Sequence, residues 1–125
     1  MSLQILAVDD SRTIRDMLSM ALSQAGFAPS LAEDGVHGLE VLDGMAPDAI
    51  ITDINMPRLD GFGFIEAVRA RAEHRATPIL VLTTESAPEL KARARAAGAT
   101  GWIVKPFDPE KLVRALRTVA GPGAA

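Results

Sequence analysis

The chain has 125 residues, 48% hydrophobic and 23% charged, with a net charge of −3: enough apolar material for one core and no room for a second folded domain. The absence of cysteine excludes disulfides and thiolate metal sites, so the fold rests on packing, which suits a reducing cytoplasm. An acidic balance argues against nucleic acid as a partner. No apolar run reaches the roughly 18 residues of a membrane span, and the start, Met1-Ser2-Leu3-Gln4, lacks the pattern of an export signal.

Gln4-Ile5-Leu6-Ala7-Val8-Asp9 is a compact apolar strand running into two acids, Asp9 and Asp10, with a helix starting at Ser11. Ile14, Met17, Leu18, Ala21, Leu22 and Ala25 recur at three-and-four spacing, which predicts a helix packed on a sheet, stopped by Gly26. Ala28 to Ala32 is a weak strand, placed at the sheet edge because Pro29 lacks a ladder donor. Val36, Leu39 and Leu42 predict a helix over Gly35–Met45.

Ala49-Ile50-Ile51-Thr52 is a buried strand ending on Asp53, and Met56-Pro57 and Asp60-Gly61 turn the chain into a loop. A helix is expected over Phe62–Ala72 with Phe64, Ile65 and Val68 inward. Pro78 to Thr83 is continuously apolar, as in a strand covered on both faces. Ser86 and Glu89 form a Ser-x-x-Glu capping signal for a helix running to Ala97 and closed by Gly98. Thr100–Val104 is a strand ending at Lys105-Pro106-Phe107. Asp108 and Pro109 open the last helix, with Leu112, Val113, Leu116 and Val119 inward and Gly121-Pro122 as its stop. The basic groups Arg69, Arg71, Arg75 and Lys91, Arg93, Arg95 fall at helical spacing and are expected on solvated faces.

Strands alternating with helices predict an α/β fold: a five-stranded parallel sheet, doubly wound by five helices through right-handed crossovers. The strand order expected for such units is 2-1-3-4-5, the flavodoxin-like arrangement. It sets the first and third strands side by side and brings Asp9, Asp10 and Asp53 to one crevice at the carboxyl edge. Crowded carboxylates repel, so either one protonates or a divalent cation neutralises them. Oxygen ligands favour Mg2+, with Mn2+ able to substitute, and Asp10, Asp53 and a backbone carbonyl near Asn55 match its needs. Thr83 and Lys105 end neighbouring strands at the same edge. A carboxylate nucleophile, a metal, a hydroxyl and an ammonium together suit a phosphoryl group carried on Asp53. Plainer roles stand beside these: Asp9 and Asp10 as helix-capping acids, Asp60 as turn and cap chemistry, Trp102 as core. His37 and His74 have no partner spacing and are read as neither ligands nor phosphoacceptors.

Four motifs, Val8-Asp9-Asp10-Ser11, Asp53-Ile54-Asn55-Met56-Pro57 with Asp60-Gly61, Leu82-Thr83-Thr84-Glu85, and Trp102-Ile103-Val104-Lys105-Pro106-Phe107, together resemble the receiver domain of two-component response regulators. The likeness is greatest to free-standing chemotaxis regulators of the CheY kind. It runs from about residue 4 to 120, and implies one receiver domain over 1–120 with 121–125 as a short flexible tail. It also implies that Asp53 accepts a phosphoryl group from a histidine kinase, with Asp9 and Asp10 holding Mg2+ directly or through water and the Asn55 carbonyl as a further ligand. Thr83 is then the hydrogen-bond donor to the phosphoryl group, Lys105 its cationic partner beside a cis bond to Pro106, and Trp102 the aromatic that moves when Thr83 does. That switch residue is commonly Tyr or Phe, so Trp102 is a bulky variant.

Thr84 stands where Ala or Gly is common and is expected to slow small phosphodonors, while Asn55 and Glu85 are placed to orient a hydrolytic water. Such a protein is a switch, not an enzyme beyond its own phosphorylation and dephosphorylation. As a monomer it offers its fourth helix, fifth strand and fifth helix (Lys91, Arg95, Trp102, Lys111) to a flagellar switch protein, a kinase or a phosphatase. No effector domain is expected after residue 120. A phosphate sink for a shared kinase is the alternative. A haloacid-dehalogenase-like phosphatase needs an acid where Asn55 stands, and a flavodoxin needs donors where Asp9-Asp10 stand.

Overall fold

A computed structural model describes residues 2–120; the expected tail 121–125 and the stop at Gly121-Pro122 lie outside the described residues. The elements are β1 (Gln4–Val8), α1 (Arg12–Gln24), β2 (Ala28–Ala32), α2 (Gly35–Asp43), β3 (Ala49–Thr52), α3 (Gly61–Arg69), a 3-10 turn (Ala72–His74), β4 (Ile79–Thr83), α4 (Pro88–Ala97), β5 (Gly101–Val104) and α5 (Pro109–Val119). All strand pairs are parallel, in the order β2-β1-β3-β4-β5. β2 is an edge strand, as Pro29 predicts.

Strand side chains alternate between two apolar layers. Ile5, Ala7, Ile51, Leu80 and Leu82 pack with Leu18 and Leu22 of α1 and Leu112 and Leu116 of α5. Leu6, Val8, Ile50, Ile79 and Val81 face the other way, onto Leu42 of α2, Phe64, Ile65 and Val68 of α3, and Ala94 of α4. Each large side chain so buried contributes about 1.5–3 kcal/mol before entropy is set against it. Burial on both faces is what the unbroken apolar runs of β3 and β4 anticipate.

Three helices start on the residues expected to cap them: Ser11 accepts from Ile14 N, Asp60 from Gly63 N and Asp108 from Glu110 N. The Ser86-x-x-Glu89 box does not form. The α4 N-cap is Ala87, without a side-chain bond, because Pro88 takes the first helical position and keeps its predecessor extended (Ala87 φ −64°, ψ 132°). Capping by Ser86 would need Ala87 helical. α3 ends at Arg69, short of the expected Ala72, and Arg69 is not on a solvated face: Nε and Nη2 donate to Gly98 O (3.0 and 2.8 Å) and Nη1 to His74 O (2.6 Å). The guanidinium joins the end of α3 to the left-handed turn after α4, where Gly98 has φ +118°. Arg71 pairs with Asp43 at 2.6 Å, whereas Arg75, Lys91, Arg93 and Arg95 are solvated as expected, Arg93 with its guanidinium 4.0 Å over the Phe62 ring.

Candidate functional site

Parallel β1, β3, β4 and β5 all deliver their carboxyl ends to one edge, the edge at which open α/β sheets bind ligands. Asp9 follows β1, Asp53 follows β3, Thr83 ends β4 and Lys105 follows β5. The pairing Val8↔Thr52 brings the two aspartates level, and Asp53 N donates to Val8 O at 3.0 Å. Oxygens of Asp9, Asp10 and Asp53 lie within 4.8 Å of one another. Asp9 is 1% and Asp53 7% exposed, while Asp10 is open to solvent.

Lys105 reaches across the sheet edge to both buried acids, with Nζ 2.7 Å from Asp9 Oδ2 and 2.9 Å from Asp53 Oδ2. Its peptide bond to Pro106 is cis, as the family resemblance implies. Ile54 N donates to Asp53 Oδ1 (2.6 Å) and Ser11 N to Asp9 Oδ1 (2.9 Å), so both carboxylates are held from the backbone as well. Burial pushes the Asp9 carboxyl above its ordinary range, against the opposing pull of Lys105 and Ser11 N. Burial also acts to lower Lys105, but its bonds to Asp9 and Asp53 outweigh this and the ammonium is held above its usual range. Helix capping does not explain the acids, because Ser11 caps α1.

Thr83 is fully buried, its Oγ1 accepting from Glu85 N at 3.4 Å and its carbonyl from Lys105 N at 2.8 Å. Asn55 Nδ2 donates to Glu85 Oε1 (3.2 Å), joining the loops after β3 and β4, and the Trp102 indole N–H donates to Glu85 O (3.0 Å). Trp102 is half-buried in this position, and Thr84 is exposed at the rim. Asp60 caps α3, and a Cβ on Gly61 would overlap Asp53 O, which is why the Asp-Gly turn sits so close to the site. His37 Nδ1 accepts from Glu33 N, and buried His74 lies 3.2 Å from Thr77 Oγ1; neither joins the cluster of Asp9, Asp10 and Asp53.

Three further residues, Arg15, Arg58 and Asp34, complete the surroundings. Arg15 Nη1 donates to Asp9 O at 2.7 Å from one turn into α1. Arg58, in the loop after Asp53, pairs with buried Asp34. The Asp34-x-x-His37 capping pattern was readable in the sequence; the partner 24 residues away was not. A wider apolar cleft of about 670 Å³ between α1 and α5 is lined by none of Asp9, Asp10 and Asp53.

A doubly wound sheet with acids, a hydroxyl and a lysine converging on one edge is the arrangement of a phosphoryl-accepting switch domain. The chain belongs to the response regulator receiver domain family, whose profile matches residues 5–117. It is 47% identical to the chemotaxis protein CheY4 of Vibrio cholerae, with a TM-score of 0.92 over 95% of this chain and 99% of that one. It is also 39% identical to the response regulator MprA of Mycobacterium ulcerans over 95% of this chain and 50% of that protein, so the chain spans about half the length of such curated relatives. A third likeness is the receiver domain of the sensor histidine kinase PA1611 from Pseudomonas aeruginosa: 27% identity, TM-score 0.89, covering 97% of this chain and 99% of that one. That structure holds a magnesium ion in its active-site cleft. Receiver domains are phosphorylated by histidine kinases and are not conventional enzymes. No helix among the described residues is long and apolar enough to cross a membrane.

Proposed function

We propose that this chain is a chemotaxis-type response regulator, one receiver unit over residues 1–120, in which Asp53 takes a phosphoryl group from a histidine kinase. The observation that carries the reading is the Lys105 ammonium held between Asp9 and Asp53, within a cluster of three carboxylates at the carboxyl edge of the sheet.

An all-oxygen donor set with excess negative charge fits a hard dication. Asp9, Asp10 and Asp53 would hold Mg2+. The carbonyls of Asp53 and Ile54 are engaged by Thr52 Oγ1 and Gly61 N, and Asn55 supplies the next carbonyl in the loop. When bound, the ion neutralises charge on the acids and on the incoming phosphoryl oxygens.

The chain's own groups supply the rest. An Asp53 oxygen attacks phosphorus, the P–N bond of the donor phosphohistidine breaks, and the imidazole leaves with the bonding pair. Lys105 then pairs with a phosphoryl oxygen in place of the carboxylate oxygen it now holds. Thr83 Oγ1, held lightly by Glu85 N, turns to donate to the same group. Glu85 connects this event to Trp102 through its carbonyl and to Asn55 through its carboxylate, so movement of Thr83 is felt at the indole. Asn55 and Glu85 orient the water that later hydrolyses the acyl phosphate, and Thr84 narrows access to it.

Lys91, Arg95 and Trp102 line one shallow cleft between α4 and β5, and with exposed Lys111 form the surface that a flagellar switch protein or a phosphatase would read. The likeness to CheY4 favours chemotaxis. The protein acts as a cytoplasmic monomer. A phosphate sink uses the same chemistry without the partner, and binding of the phosphorylated chain to a flagellar switch protein separates the two. The test is phosphorylation by a small phosphodonor with Mg2+, read as an acid-stable, base-labile label. The label is expected on the wild type and absent from Asp53→Asn; a label that survives this substitution rejects the proposal.

A further inference from the structure

Arg58 is the only non-glycine with a left-handed backbone among the described residues, at φ +66°. Leu59 N donates to Pro57 O at 2.7 Å across it, closing a three-residue turn of the positive-φ kind, which is rare and strained. A residue needed only to turn the chain here would be glycine or asparagine. Arginine brings a guanidinium, and its Nε and Nη2 meet Asp34 Oδ2 and Oδ1 side-on at 2.7 and 3.0 Å. Asp34 is 3% exposed and also caps α2 through His37 N at 2.8 Å. That cap bond does not require Arg58.

The pair fastens one loop to one helix start. Gly35 N donates to Leu59 O at 3.2 Å, and a Cβ on Gly35 would collide with Leu59. At its other end the loop is closed by Gly61 N donating to Ile54 O at 2.8 Å. Between these two fixings lies Asn55, whose side chain turns away to Glu85.

We infer that Arg58, clamped by Asp34, is a positioning residue for metal binding: it holds the strained loop so that the Asn55 carbonyl is set for a dication before one arrives. The inference rests on the reading that the acidic cluster binds Mg2+. The bidentate geometry supplies direction as well as attraction, and the strained turn persists because the clamp over-determines it.

Calorimetric Mg2+ titration of the full chain separates the two ingredients. Arg58→Gly accepts the left-handed turn but cannot clamp, whereas Arg58→Ala neither clamps nor accepts it. The expected order of affinity is wild type, then Arg58→Gly, then Arg58→Ala, the last weaker than wild type by about fivefold or more. Asp34→Asn keeps the cap oxygen and weakens binding too, and Asp34→Asn combined with Arg58→Ala is no weaker than Arg58→Ala alone. Metal-free circular dichroism confirms that each variant is folded, so a merely structural role would move the unfolding midpoint and leave Mg2+ affinity alone. Arg58→Ala within twofold of wild type, or Arg58→Gly weaker than Arg58→Ala, overturns the inference while the metal site stands. Wild type taking up no Mg2+ overturns both.

Discussion

Replacing Lys105 by methionine tests whether one ammonium and one dication compete for the same oxygens. At 2.7 and 2.9 Å from Asp9 and Asp53, each contact has a bare Coulomb energy of about 6 kcal/mol at an effective dielectric of about 20. Desolvation of Lys105 and repulsion between the acids reduce this, and a charge-assisted hydrogen bond contributes about 1.5–3 kcal/mol net. A dication that engages Asp9 and Asp53 displaces at least one of the two bonds. Lys105→Met removes that competition, so Mg2+ binding should tighten by about 10- to 100-fold. Phosphorylation should slow by about 100-fold or more, because the cation that meets the phosphoryl oxygen is gone. The assay is calorimetric Mg2+ titration at mildly alkaline pH, where the carboxylates are ionised, paired with labelling from a small phosphodonor. Unchanged or weaker Mg2+ binding by a folded Lys105→Met chain would refute the reasoning.

Three other perturbations follow from the geometry. Gly61→Ala sets a Cβ into Asp53 O and within 2.7 Å of Ile54 Cα; urea unfolding should show a loss of about 1–3 kcal/mol, and an unaltered midpoint would contradict the overlap. Trp102→Phe deletes the N–H bond to Glu85 O, worth about 1 kcal/mol, so amide exchange over residues 84–87 should quicken about fivefold, and equal protection would show that the bond holds nothing in place. The bonds from Arg58, helped by His37 N against burial, hold the Asp34 carboxyl below its ordinary 3.8. A folded pKa below the unfolded one means that the stabilisation is complete above about 3.8 and is lost as pH falls through the folded value. Asp34→Asn should therefore be less stable at neutral pH and flatten that acid limb; an identical limb in the variant would place the titration elsewhere.

What the sequence revealed and what it hid divide along physical lines. β3 and β4 are unbroken apolar runs that end on Asp53 and Thr83, and the inward residues of α1, α3 and α5 recur with helical period. Topology then places Asp9, Asp53, Thr83 and Lys105 together, because parallel strands share one carboxyl edge. The misreadings are contests between neighbouring signals or long-range contacts. Ser86 and Glu89 make a good local capping pattern, but Pro88 between them decides where α4 can begin. Arg69 has the spacing of a solvated residue, and only the arrival of Gly98 from 29 positions away turns it inward. Arg58 is hidden twice over, by a backbone conformation that arginine rarely adopts and by a partner on another loop.

The central claim is that the acidic edge makes Asp53 the phosphorylatable group of a dication-dependent switch. Peptide mapping by mass spectrometry after incubation with a small phosphodonor measures it directly. With Mg2+ present, one phosphoryl group on the peptide containing Asp53 is predicted, lost when the ion is chelated beforehand. Modification on a different residue, or equal modification without the ion, would contradict the account.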